Sequence, residues 1–357
     1  MNVFTRLTRH HHRSQPQQGS RVDDVRCPRC ATWFVADPQA AAWAVCARCG
    51  YHAPITARQR LEWLLDPGSF AEIAGLLGPS DPLQFVDRLP YSQRLTQARV
   101  TTGTRESVIA GTGRIGGHRL AVAVFEFGFL GGSLGSVAGE KLAQLFELAH
   151  EEELPVVVVT ASGGVRLQEG SLALFQMAKT VVALRRFQQG RMPFMSILAS
   201  PTTGGVYASF ASLGDILLAE PGAIINFAGP RVVTELIGKP VPDGQFTAER
   251  LLTLGLLDGV VDRRMLRDRL AQLLALLVRP GRVTHTAMAE NTADQPLRIP
   301  SPPRPSHVPV GEAVNAAGTQ QQGKGGDAWT QVRLARAPVR PSGRSYVRRA
   351  FAEFIEL

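Results

Sequence analysis

The sequence predicts an α/β protein carrying a small four-cysteine appendage. Three observations predict it. Pro155–Thr160 (PVVVVT) and Pro193–Ala199 (PFMSILA) are continuous apolar runs of strand length, as in a parallel sheet buried on both faces. Each run is followed by a glycine-paired turn and then by helical spacing, and alternation of strand with helix argues α/β. All four cysteines fall in one constellation, Cys27-Pro-Arg-Cys30 and Cys46-Ala-Arg-Cys49.

In chain order, residues 1–22 are polar and acid-free and read as a disordered basic tail. Residues 23–53 hold the two C-x-x-C knuckles. Four thiolates at that spacing reach the corners of a tetrahedron, the closed geometry of a structural zinc site with no position left for water. Two disulfides are the alternative, but a chain of 357 residues needs no staples and no secretory signal precedes the cysteines. Arg58–Leu65 (RQRLEWLL) is a short amphipathic helix stopped by Asp66-Pro67-Gly68. Asp81 to Gly103 is a polar, proline-marked connector with little periodicity. The core starts near Ser107, with strand Leu120–Phe127, glycine-rich Gly128–Gly139, helix Lys141–Glu151 and strand Pro155–Thr160. Next come helix Gly170–Gln189, strand Pro193–Ala199 and helix Val206–Leu213. Short strands Ile216–Ala219 and Ala223–Phe227 precede helices Val232–Ile237, Ala248–Leu254 and Arg264–Val278. Residues 280–327, rich in Pro, Gly and Gln, form a linker. Periodicity returns in 328–357, where Tyr346, Ala350, Phe351 and Phe354 share a helical face.

Composition bounds the function. With 44% hydrophobic and 19% charged residues the chain can build a full-sized core, and no apolar run approaches the ~20 residues of a membrane span. The net charge of +9 favours polyanionic partners: nucleic acid, anionic lipid or a phosphorylated cofactor such as coenzyme A. Solvated basic tails explain the same excess. His10, His11 and His12 have no partner ligand at metal spacing. An acid-poor, arginine-containing start also fits an organelle transit peptide; otherwise the chain is expected in the cytoplasm.

Two segments carry candidate chemistry: Ala161-Ser-Gly-Gly-Val-Arg166 and Pro201-Thr-Thr-Gly-Gly-Val206. Each follows a buried strand and opens a helix. Paired glycines there expose backbone N–H groups, and the helix N-terminus adds its positive dipole end. Two such turns on adjacent strands can aim one N–H each at a single carbonyl oxygen, which is an oxyanion hole. Tight strand-to-helix turns are the plain alternative. Nucleophile signals are weak: Ser162 is not in a G-x-S-x-G elbow, His118 and His150 have no placed partners, and the core lacks cysteine. Phosphate-loop and dinucleotide fingerprints are absent. The core thus offers backbone electrostatics without an evident acid, base or nucleophile.

These residues match a family. The four-cysteine ribbon, FEFGFLGGSLGSVAGEK (125–141), TASGGVRLQEGSLALFQMAKT (160–180) and SPTTGGVYASFASLGDILLAEPGAIINFAGPRVV (200–233) resemble the carboxyltransferase β subunit of bacterial acetyl-CoA carboxylase. The resemblance covers residues 23–279. It implies a crotonase-like spiral of ββα units over 54–279. It implies carboxyl transfer from carboxybiotin, on a biotin carboxyl carrier protein charged by biotin carboxylase, to acetyl-CoA, giving malonyl-CoA for fatty acid synthesis. It implies a heterotetramer with an α subunit and a structural Zn2+ on Cys27, Cys30, Cys46 and Cys49. Carried over, Gly163, Gly164, Gly204 and Gly205 supply N–H groups to the thioester oxygen. Gly131, Gly132, Gly229 and Arg231 shape the acyl-CoA and biotin surfaces. Arg166 either meets a CoA phosphate or braces its helix. Residues 328–357 resemble the opening of the α subunit, with Ala337 where that pattern usually has His, so the chain reads as a β–α fusion cut short and in need of an α partner.

Two other readings compete. A zinc-ribbon nucleic-acid binder would use Arg-rich ends and stack bases on Trp33, Phe34 and Trp43, which alternatively form the ribbon's own small core. An inactive scaffold left by truncation is the third.

Overall fold

The computed structural model describes residues 26–33, 42–228, 230–240, 242 and 244–278, without the side chains of 230, 231 and 237. The basic tail, Phe34, Gly229, the linker and the segment 328–357 lie outside the described residues.

Among the described residues, eight strands form one mixed sheet in the order β1-β2-β3-β4-β5-β6-β8, with β7 on β5. β1 (Ala71–Ile73), β2 (Val108–Ile115) and β3 (His118–Phe125) pair antiparallel. From β3 onward every pairing is parallel: β4 (Val156–Ser162), β5 (Phe194–Thr203), β6 (Ile216–Ala219), β7 (Ile225–Asn226) and β8 (Gly259–Val260). The β-branched runs fall in β4 and β5, at the middle of the sheet. Burial on both faces favours apolar residues there, and the buried hydroxyls of Thr160 and Ser196 donate to backbone carbonyls. Val156, Val158, Phe194 and Leu198 share one core with Leu142, Phe146, Leu184 and Phe187 of the covering helices. Phe146 meets Phe194 edge-on, with ring centroids 5.3 Å apart.

The spiral arises at the carboxyl ends of the strands. Register shifts between Thr160 and Ser162, and the ladder resumes as Ser162↔Thr202, then Thr202↔Ile225 and Thr203↔Asn226. Leu134↔Val165 adds the turn before. Each successive loop thus hooks over its neighbour at one end of the sheet. This is the crotonase-like arrangement of ββα units.

Helices follow the sequence with instructive exceptions. α1 (Ala57–Leu64) opens on a capping box between Thr56 and Gln59. α2 (Tyr91–Thr102) occupies the stretch expected to be an irregular connector. Only Tyr91, Leu95 and Ala98 of it are buried, so its apolar stripe is too sparse to read. α3 (Ser136–Glu151) begins inside the glycine-rich run. Gly139 there is a packing residue, since a Cβ at that position would collide with Gln176 Oε1 of α4 (Ser171–Phe187). The helix expected over 206–213 is a single turn, α5 (Gly204–Tyr207), followed by a 3-10 turn at Phe210–Ser212. α6 (Pro230–Ile237), α7 (Ala248–Thr253) and α8 (Arg263–Leu277) fall where expected. β2 was not foreseen as a strand; it supplies the antiparallel partner of β3.

Candidate active site and metal centre

The ribbon is two matched knuckles. In each, the residue four past the first cysteine turns left-handed and returns its N–H to that cysteine's carbonyl: Ala31 (φ 58°) to Cys27 at 2.8 Å and Gly50 (φ 66°) to Cys46 at 2.8 Å. The four sulfurs lie within 4.8 Å of one another, all as free thiols. Cys27–Cys49 and Cys30–Cys46 sulfurs are 3.6 and 3.5 Å apart. A tetrahedron with Zn–S bonds of about 2.3 Å has edges of about 3.8 Å, so the cluster is compatible with zinc. Disulfides, at about 2.05 Å, are not formed.

A buried ion cluster fastens the ribbon to the sheet. Glu220, just past β6, accepts from Arg60 Nη1 of α1 at 2.6 Å and from Arg263 Nε and Nη2 of α8 at 2.9 and 2.8 Å. Arg263 Nη1 donates onward to the ribbon carbonyls of Trp43 (3.1 Å) and Ala53 (2.9 Å). His52 stands 3.3 Å from Asp262 Oδ2 and 3.7 Å from Glu220 Oε2. Burial alone would raise the Glu220 carboxyl. Arg60, His52 and Arg263 outweigh it and hold the group well below the usual range. Trp43 packs on Trp63 of α1, centroids 4.9 Å apart, so it serves the ribbon–core seam. Trp33 is exposed, with the Arg26 guanidinium 4.5 Å from its ring centroid. His52 and Ala53 also border a narrow cavity with Phe127, Ala161 and Ser200, which places the ribbon beside the carboxyl ends of β3 to β5.

The two glycine turns meet at that end of the sheet. Gly164 (φ +118°) and Gly204 (φ +60°) pack backbone to backbone: a Cβ on Gly204 would sit 3.0 Å from Gly164 Cα and 3.2 Å from the Gly163 carbonyl. Their N–H groups are mostly engaged. Gly163 donates to the Gly131 carbonyl (2.9 Å), Gly164 to Ser162 Oγ (3.0 Å) and Gly204 to the Phe227 carbonyl (3.0 Å). Among the described residues, the N–H groups of Gly205 and Val165 have no acceptor. They belong one to each turn, and a Cβ on Gly205 would strike the Val165 side chain. Val165 was not among the residues singled out from sequence; its signal is only its place after the glycine pair. His118 starts β3, at the opposite end of the sheet.

Gly131 and Gly132 buttress the first turn. Gly131 lends its carbonyl to Gly163, and a Cβ on Gly132 (φ +61°) would collide with the Ala161 carbonyl. Arg166 does not face a ligand. It is fully buried, and its contacts are those of a brace. Its guanidinium pairs with both oxygens of Glu106 and with Glu169 at 3.2 Å, and donates to the Ser133 carbonyl at 2.8 Å. Tyr91 of α2 donates to the same Glu169 at 2.6 Å. The cluster ties the 131–135 loop, the turn at 163–170 and α2 together. Arg231 lies in α6, and its side chain is not among the described ones.

This fold with paired glycine turns defines a carboxyl transferase domain, and that domain family matches residues 53–304. Among curated proteins, the acetyl-coenzyme A carboxylase carboxyl transferase subunit beta of Synechococcus sp. (strain JA-3-3Ab) is 49% identical over 276 residues, 77% of this chain and 88% of that protein. The subunits beta/alpha protein of Salinispora arenicola (strain CNS-205) is 44% identical over 93% of this chain, which spans 56% of its length. Among solved structures, transcarboxylase 12S with methylmalonyl-coenzyme A and methylmalonic acid bound aligns with a TM-score of 0.53 at 28% identity, over 62% of this chain and 41% of that one. A Pseudomonas malonate decarboxylase hetero-tetramer in complex with malonate aligns at 0.52 and 26% identity, over 62% of this chain and 82% of that one. The chain belongs to the family of acetyl-CoA carboxylase carboxyltransferase β subunits. Among the described residues no helix is long and apolar enough to cross a membrane.

Proposed function

We propose that this chain forms the acyl-CoA half of a carboxyltransferase and works with an α partner. In the forward direction biotin on a carrier protein would supply CO2 and, through its freed urea, the base for a methyl proton of acetyl-CoA. The resulting enolate then attacks the CO2 to give malonyl-CoA. The burden on this chain is the enolate oxygen. The observation that carries the reading is the meeting of the two turns, with one free N–H from each, at Val165 and Gly205. Two preorganised donors at a developing oxyanion are worth several kcal/mol of barrier, about 2.7–4 for each donor. Gly163, Gly164 and Gly204 let the backbones approach closely enough to leave that space. Zn2+ on the four cysteines would hold the ribbon's shape and take no part in proton or carboxyl transfer.

An α partner is supported by the outer face of α4. Leu172, Phe175 and Val182 stand there exposed, with Leu167 just before, beside the first glycine turn. Large exposed apolar side chains grouped on one helix face mark a protein contact. The carrier protein and biotin carboxylase belong to the same proposal on the strength of the family.

The test is the reaction in reverse. Purified chain is incubated with malonyl-CoA and biocytin, with and without a bacterial α subunit, and acetyl-CoA is followed. Activity only with the α subunit is expected. Activity of the chain alone would refute the need for a partner. Inactivity in both cases, with no CoA ester bound, would leave a scaffold or nucleic-acid role.

A further inference from the structure

Lys141, in the second turn of α3, is 2% exposed and plays no part in the turns described above. Its ammonium makes one hydrogen bond, to the Val108 carbonyl at 3.3 Å. No carboxylate among the described residues forms an ion pair with it, and two of its three donors are left unmatched. Burying an ammonium in that condition is costly. Burial lowers its pKa, though Glu72 and Glu106 act in the other direction.

The ammonium faces a polar cavity of about 120 Å3 at the β1–β2 edge of the sheet. Arg58 and Arg105 also line it, and neither has an ion-pair or hydrogen-bonding partner among the described residues. Glu72 lines it too, but Glu106, the remaining carboxylate there, is already held by Arg166. Counting Arg166 with both its carboxylates, the region keeps one more cation than anions. Three cations, one of them buried, face a single carboxylate that Arg166 does not hold, Glu72, around a space that holds about four waters or one tetrahedral oxyanion at about 30 Å3 per water.

We infer that this cavity is a binding site for a phosphate-type oxyanion, held by Lys141, Arg58 and Arg105. Arg58 and Arg105 are exposed and would close on the anion from the mouth; Lys141 would meet it from below. The inference does not depend on the carboxyl-transfer reading. The same chemistry could come from free phosphate or from the phosphate groups of coenzyme A.

The test uses the full chain and inorganic phosphate. Thermal unfolding is followed against phosphate at constant ionic strength, balanced with chloride. A saturable rise in Tm is expected, with its midpoint shifted at least tenfold in Arg58→Ala and Arg105→Ala and the response lost in Lys141→Met. The arginine variants change exposed side chains, so they keep the site testable if Lys141→Met fails to fold. An equal response to chloride, or unchanged midpoints in both arginine variants, would overturn the site. Displacement of phosphate, followed by 31P NMR, identifies the source among outcomes that all support it. Coenzyme A acting where dephospho-coenzyme A does not assigns the terminal phosphomonoester, action by both assigns the diphosphate, and action by neither assigns the free ion.

Discussion

Neutralising Glu220 should loosen the ribbon and destabilise the whole domain. In Glu220→Gln the shape is nearly kept, but Arg60 and Arg263 remain buried opposite an amide. Their relative exposures are only 6% and 5%, so water cannot compensate them. Breaking a buried pair by removing one partner costs about 3–5 kcal/mol. At about 2–4 °C per kcal/mol for a domain of this size, Tm should fall by about 6–20 °C. Because Arg263 also holds the Trp43 and Ala53 carbonyls, the ribbon thiols should react faster with a thiol reagent in the metal-free protein. The pH dependence has a definite sign. The folded carboxyl titrates well below its unfolded value of about 4.3. Its contribution is therefore present above pH ~4.3 and is lost as pH falls through the folded pKa; the Gln variant should lack that part of the acid sensitivity. Denaturant titrations of the wild type, Glu220→Gln, Arg60→Met and the double variant measure it, with a coupling of about 0.5–3 kcal/mol expected. A loss under about 1 kcal/mol for Glu220→Gln, or strict additivity, would refute the clamp.

Other perturbations follow from the same geometry. Gly205→Ala should lower kcat of the reverse reaction about a hundredfold or more with less effect on KM, because its Cβ would enter the Val165 side chain and approach Met177 Sδ at 2.8 Å; wild-type kcat with the α partner would count against the oxyanion site. Arg166→Met should destabilise by about 3–5 kcal/mol in urea, leaving Glu106 and Glu169 buried and unpaired, while KM for malonyl-CoA in any folded fraction stays near wild type; a selective rise in KM would restore a substrate contact. Metal analysis should find one zinc per chain, lost in Cys27→Ser or Cys46→Ser, and a chelator should abolish protection of the ribbon amides in hydrogen exchange while strands β3–β5 stay protected.

Much of the fold was legible because its signals are local. PVVVVT could be read as a buried strand from six residues, and the cysteine knuckles from two tetrapeptides. α2 was not legible because three buried residues in a polar stretch give no periodic signal, and its anchors are distant: Tyr91 bonds Glu169, 78 positions away, and packs with Phe129. The Glu220 clamp was invisible for the same reason: its arginines lie 160 and 43 positions away. Nothing near LLAEPG announces either partner.

The candidate site shows where sequence reading stops. Glycine pairs after buried strands say that a backbone is exposed at a turn; they do not say which N–H stays free. That is decided by two distant acceptors and one local hydroxyl. Gly131 takes the Gly163 N–H, Phe227 takes that of Gly204, and Ser162 Oγ takes that of Gly164. What remains is one residue further along each turn, at Val165 and Gly205. The glycines then act as spacers as much as donors: a side chain at Gly204 would press against Gly164 Cα, and one at Gly132 would push the Ala161 carbonyl aside. An oxyanion hole assembled this way depends on the register between turns rather than on any single residue's chemistry. The Arg166 cluster, which ties the 131–135 loop to the first turn, would therefore position the proposed site without touching it.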